Sequence, residues 1–215
     1  MIEKDSTTFV IRIGIIAAFI CAGIGFAIGL RTLNDAALRA VTGVTDANRI
    51  VADSDKKTAC VPTARFSPDG RASELVDTTI DSARSSIRLA GYTLTSRDVV
   101  ARLVAAKARG VDVAVVVDER NNLIDDKSGR AREALARLVD AGIPTRTIGA
   151  YAIHHDKYMV IDGSTVQTGS FNYTESAATR NSENALVLWH CSVMAQAYLD
   201  HWQSRWNQGV DFGVR

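Results

Sequence analysis

From Cys60 onward, apolar positions fall into short blocks whose spacing switches between alternate residues and every third or fourth residue. That switch marks strands interleaved with helices. Cys60 to Phe66 predicts a first strand, closed by the turn Ser67-Pro68-Asp69-Gly70. Leu75, Ile80 and Ala83 place a helix over Ser73 to Ala83, and Ser86 to Tyr92 predicts a strand. Ser96 suits the cap of a helix reaching Ala108, with Gly110 as its stop. Asp112 to Asp118 (DVAVVVD) is a short apolar strand, expected to be buried on both faces. Asn121 to Ser128 reads as a polar loop, Arg130 to Ala141 as a helix ended by Gly142, and Pro144 to Ile148 as a further strand. This alternation predicts an α/β fold, a sheet with helices packed on it. No internal repeat is visible.

The chain before Cys60 has a different texture. Residues 1–12 form a short flank. Residues 13–30, IGIIAAFICAGIGFAIGL, run without a charge or a proline. A signal-peptide core is usually ~7–15 residues and a spanning helix needs about 20, so this stretch fits a membrane anchor better. Phe9 and Val10 extend it if Arg12 snorkels to the interface. No clear cleavage site follows. Lys4 and Arg12 before the span balance Arg31 and Arg39 after it, so the positive-inside count is a tie. We expect the remainder to lie outside the cytoplasm, in the cell envelope or beyond it. Residues 31–59, polar and alanine-rich, read as a tether to a domain spanning residues 60–215.

Composition narrows the classes. With 47% hydrophobic and 23% charged residues the chain is not intrinsically disordered, and 3 prolines exclude proline-rich architectures. Net charge is +1, and residues 60–215 carry 18 basic and 18 acidic side chains. Any affinity for nucleic acid must therefore come from local charge. The 3 cysteines are too few for a disulfide scaffold. Cys21 lies in the apolar segment. Cys60 and Cys191 could pair if exported, but a free, buried pair of thiols is the expected state.

The chemistry is concentrated between Tyr151 and Leu188. His155, Lys157 and Asp162 give HxKxxxxD, followed by Gly169-Ser170-x-Asn172. In a strand, His155 and Lys157 share a face and Asp162 takes the other. Asp162-Gly163 is a hairpin signal, with Thr165 to Thr168 as the return strand. An imidazole, an ammonium, a hydroxyl and an amide then converge. That set suits an anionic phosphate: one nucleophile, one cation and neutral donors. Asp162 is expected to be structural, capping the turn or pairing with a basic residue. No carboxylate cluster accompanies the motif, so no metal or other cofactor is expected.

These residues resemble the signature of the phospholipase D superfamily, and the order of elements is similar to its single-motif bacterial endonuclease branch. The resemblance implies a mixed β-sheet flanked by helices and a phosphodiesterase working through a phosphohistidine. It assigns catalysis to His155, Lys157, Ser170 and Asn172, with Asp162 and Gly169 structural. It also implies that Glu183 hydrogen-bonds His155 and orients it; the alternative is an exposed loop carboxylate. Most members carry two motifs and this chain has one, so the resemblance implies a homodimer sharing one site. The substrate is then nucleic acid, or a phospholipid given the apolar segment; a non-catalytic tethered binding protein is the remote alternative. His154, His190 and His201 are expected to be structural. So are Trp189, Trp202 and Trp206, as core aromatics, with Arg120, Arg130, Arg132 and Arg137 on a solvated helix face.

Overall fold

The computed structural model describes residues 60–213. The predicted apolar segment at 13–30 and the tether at 31–59 lie outside the described residues. Among the described residues no helix is long and apolar enough to cross a membrane.

Eight strands form one mixed sheet in the order β1-β7-β6-β5-β2-β3-β4-β8. They are β1 Val61–Phe66, β2 Ser86–Gly91, β3 Asp112–Asp118, β4 Thr145–Ile148, β5 Lys157–Ile161, β6 Thr165–Gly169, β7 Asn184–Trp189 and β8 Val210–Asp211. β2, β3 and β4 run parallel, joined by α2 (Arg97–Ala108) and α3 (Arg130–Asp140). The remaining pairings are antiparallel. α1 (Arg71–Ser82), α2 and α3 cover one face, and α5 (Ser192–Gln208) covers the other; α4 (Glu175–Thr179) is a single short turn beside α1.

The side-chain alternation of the strands explains the two cores. On β5, Met159 and Ile161 join the core beneath α1 to α3, whereas Tyr158 and Val160 join the core beneath α5. Val113, Val115 and Val117 of β3 feed the first, Ala114 and Val116 the second, so this strand is buried on both faces. Ser96 caps α2 by accepting from the Val99 N–H. Trp202 of α5 is buried, donates to the Leu89 carbonyl at 2.9 Å and stacks on Trp206 with centroids 4.9 Å apart. Trp189 is only half-buried.

Three expectations need correction. Asn121 to Ser128 is not simply a polar loop, because Arg120–Asp125 winds into a π-type helical turn. Its centre is Asn122, buried, whose amide donates to the Tyr92 and Asp118 carbonyls while its oxygen accepts from the Leu94 N–H. Cys60 and Cys191 are not free thiols but a disulfide, with Cα atoms 4.5 Å apart. The cause is register: β1 lies antiparallel to β7 with Val61 opposite Trp189, which brings the residues flanking those strands together. Finally, β5 begins at Lys157, so His155 lies in the chain just before the strand. Its neighbour β2 ends at Gly91 opposite Lys157, leaving His155 no ladder to join.

Candidate active site

The site forms where the start of β5 meets the end of β2. Lys157 is buried, and its ammonium donates to the His155 carbonyl at 2.9 Å. Tyr92, one residue past β2, touches both: its ring lies 4.7 Å from the His155 ring, and the Lys157 ammonium sits 5.0 Å from its centroid. Tyr92 was not legible in the sequence as a site residue. Its only signal was its place at the end of a strand, where nothing marked it as facing the motif. The exposed His155 imidazole has no hydrogen-bond partner among the described residues. Burial pushes the Lys157 ammonium below its usual pKa, and the nearby Asp156 and Glu183 carboxylates offset this in part.

The loop after β6 brings in the rest. Gly169 has φ of 150°, and a Cβ there would run into the backbone carbonyl of Asn184, so only glycine fits. Buried Tyr173 fixes the loop: its carbonyl accepts from the Thr95 and Ser96 N–H groups, each at 2.9 Å, and its hydroxyl donates to Gln167. Asn172 is thereby held with its side-chain oxygen buried and unpartnered. Its side-chain amide makes no hydrogen bond among the described residues.

Two expected site residues, Ser170 and Glu183, are arranged differently. Ser170 Oγ donates to Glu183 Oε2 at 2.6 Å and accepts from the Asn184 backbone N–H at 3.1 Å. Glu183 also accepts from Asn181 at 2.9 Å. The expected bond from Glu183 to His155 is therefore not made. The carboxylate braces the loop through Ser170, and reaches the site by its charge on Lys157.

Asp162 lies at the far end of β5 from His155. It accepts from the backbone N–H groups of Arg84, Ser85 and Ser86, and from the Ser85 hydroxyl, so its partners are backbone amides and not a basic side chain. Burial raises its pKa, but the amides of Ser86, Ser85 and Arg84 outweigh that and hold the carboxyl below its ordinary value. Both Asp162 and Gly163 have positive φ, 53° and 62°, forming the tight turn into β6.

The other histidines serve the scaffold. His154 is buried against Asp156, and burial lowers its pKa; Asp118 accepts its backbone N–H. His201 bridges Tyr158 and Arg205. His190 occupies a turn with φ of 55°. Arg120 pairs with Asp125, while Arg130, Arg132 and Arg137 are exposed. Among the described residues no three His, Cys, Asp or Glu side chains are grouped to hold a metal ion.

This arrangement can present a nucleophilic imidazole and a desolvated ammonium to one anionic group. A sequence profile described as "Cardiolipin synthase, PLD-like domain" matches residues 76–206. The chain belongs to the phospholipase D-like family. Within it, the chain is 34% identical over 140 residues to a phospholipase D of Rickettsia bellii, covering 65% of this chain and 66% of that protein. It is 28% identical over 126 residues to the mitochondrial cardiolipin hydrolase of Xenopus tropicalis, covering 59% of this chain and 57% of that one. The matches thus span less than two thirds of these relatives' lengths. Among solved structures, the phospholipase D family member Nuc of Salmonella typhimurium is 46% identical with a TM-score of 0.68. That match covers 71% of this chain and 98% of Nuc. NucT of Helicobacter pylori, at 22% identity and a TM-score of 0.62, shares the fold. As a member of the phospholipase D-like family, the chain has the mixed sheet and flanking helices that its sequence implies.

Proposed function

We propose that this chain is a phosphodiesterase that cuts nucleic acid through a phosphohistidine intermediate. The observation that carries the reading is the exposed, unpaired His155 imidazole beside the buried Lys157 ammonium. The choice of nucleic acid rests on resemblance to the single-motif endonuclease branch, and on the match to Nuc along nearly its whole length.

One motif supplies one histidine, so two copies share a site around a two-fold axis. His155 of one copy attacks phosphorus, and the bond to the leaving oxygen breaks as the second copy's His155 protonates that oxygen. The second imidazole then takes a proton from water, whose oxygen displaces the first imidazole and frees a phosphomonoester. Lys157 and Asn172 of both copies hold the non-bridging oxygens. Two histidines in opposite protonation states give a bell-shaped pH profile.

The second reading, a phospholipase, is favoured by the apolar segment 13–30 and by the phospholipase D relative. The same segment, with the Cys60–Cys191 disulfide, favours an anchored or exported protein in an oxidising compartment. The full-length protein should cleave plasmid DNA, leave phosphatidylcholine vesicles intact, and lose activity by several orders of magnitude as His155→Ala. Turnover of vesicles but not DNA would reverse the substrate, and an active His155→Ala protein would end the mechanism. Heterodimers of wild-type and His155→Ala chains should be nearly inactive; half-activity would reject the shared site.

A further inference from the structure

The cleft that holds His155 and Lys157 continues along the α5 side of the sheet, and its far wall has no role in the chemistry above. That wall is built by Tyr158, Thr168, Tyr198 and His201. Tyr158 is buried, and Tyr198 packs on it edge to face, with centroids 4.8 Å apart and planes at 75°. The Tyr158 ring thus fixes Tyr198 from one side, while the half-exposed Tyr198 ring lines the cleft. The Tyr198 and Thr168 hydroxyls have no hydrogen-bond partner among the described residues.

Next to Tyr198, His201 is set by its neighbours. Arg205 can only donate, and its Nε lies 3.0 Å from His201 Nε2, so that nitrogen accepts and the imidazole proton sits on Nδ1. Nδ1 then donates to the Tyr158 oxygen at 2.8 Å, which leaves the Tyr158 O–H itself unspent. The cleft therefore pairs an anion-binding end with a flat aromatic wall bordered by free hydroxyls. Ala197 is the one aliphatic side chain lining it, and the Asp156 carboxylate lines it too. The apolar surface there is that of flat aromatic rings rather than aliphatic chains, with polar groups at its rim, which suits a planar ring better than an acyl chain. A planar, polar-edged heterocycle attached next to the phosphate fits both ends.

We infer that Tyr198 is a stacking platform for the nucleobase adjoining the scissile phosphate, with Thr168 and Tyr158 offering hydrogen bonds to its edge. The inference rests on the nucleic-acid reading of the same site and deepens it. Stacking on an aromatic ring tolerates every base, so the subsite predicts little sequence preference.

The test uses the full-length chain carrying His155→Ala, so that bound oligonucleotide stays intact. Its affinity is measured for a short single-stranded DNA, and for the same backbone with the bases removed around the central phosphate. Adding Tyr198→Ala should weaken the base-bearing strand about ten-fold. The abasic strand should bind both proteins alike, and Tyr198→Phe should hold the base-bearing strand within about two-fold. Equal loss on both strands, or loss on neither, overturns the subsite. So does a Tyr198→Ala protein that falls from dimer to monomer by sedimentation, since the ring would then be packed against a second copy. Cleavage by the wild-type chain is scored separately. If it cuts DNA while Tyr198→Ala makes no distinction between strands, the subsite fails and the nuclease reading stands. If it cuts only phosphatidylcholine vesicles and neither strand binds, both fail.

Discussion

Lys157 carries its charge against the cost of burial, and that cost dictates how the site answers pH. Its folded pKa lies below the ordinary lysine value of 10.5 because the ammonium is desolvated. The charged form dominates below the folded value and disappears as pH rises through it. Beyond the bell set by the two histidines, a further alkaline loss of kcat/KM should therefore set in at a lower pH than an ordinary lysine would give, which a pH–rate profile carried past the bell measures directly. Lys157→Met should abolish cleavage yet leave thermal stability unchanged or raised, because it removes a buried charge at nearly constant volume; a melting curve and an assay on one preparation check both. Asp162 has the opposite sign. Its folded pKa is lowered, so the stability it contributes is present above the unfolded value and withdrawn as pH falls through the folded one, below 3.8. Asp162→Ala strands three backbone N–H groups and should cost about 1–2 kcal/mol by denaturant titration, allowing for its partial exposure. The Asp162-Gly163 turn signal was enough to place Asp162 at the far end of β5 from His155, whereas the expected strand parity does not apply, because His155 lies before the strand. The partners of Ser170 and Glu183 were not legible, because a spacing of residues does not say which of two neighbouring hydroxyl and imidazole groups a carboxylate will meet.

Among elements, the strands and helices from Ser86 to Ile148 followed their hydrophobic periods, with boundaries shifted by a residue or two. The β5–β6 hairpin was equally legible, since Asp162-Gly163 is a local turn signal that needs no distant partner. The π-type turn was not. Arg120–Asp125 has too few apolar positions to show a period, and it is held by one buried side chain, Asn122, whose partners lie on β3 and on the chain after β2. That asparagine also secures the carbonyl of Tyr92, the ring that touches both His155 and Lys157. Asn122→Leu would leave the Leu94 N–H and two carbonyls unpaired and should destabilise by roughly 2–3 kcal/mol. It should also lower kcat more than it raises KM, because it loosens the residues around the nucleophile; equal kcat values at a temperature where both proteins are folded would contradict this.

For the whole molecule, the sheet order could not be read from the chain. β7 returns to pair with β1 across more than a hundred residues, and such pairings leave no local trace. The expectation of free thiols failed for the same reason: the approach of Cys60 and Cys191 is a product of that pairing. Closing a loop this long stabilises by about 4–5 kcal/mol in the chain-entropy picture. Cys191→Ser should lower the melting temperature under non-reducing conditions, and reductant should have little further effect on the variant.

The same bond alters what a protease can achieve. Cys60 and Cys191 stand 131 positions apart, and His155, Lys157, Asn172 and Glu183 all lie between them. A single backbone cut in the exposed loop around residues 125–129 therefore yields two pieces that remain covalently joined. The pieces also stay interleaved, since β4 and β5 from the later one pair with β3 and β2 from the earlier one. On a non-reducing gel the nicked protein runs as one band, and only reductant releases two. Outside the cell, where proteases act and thiols are oxidised, a nick would leave a two-chain protein with the face that carries His155 and Lys157 still assembled.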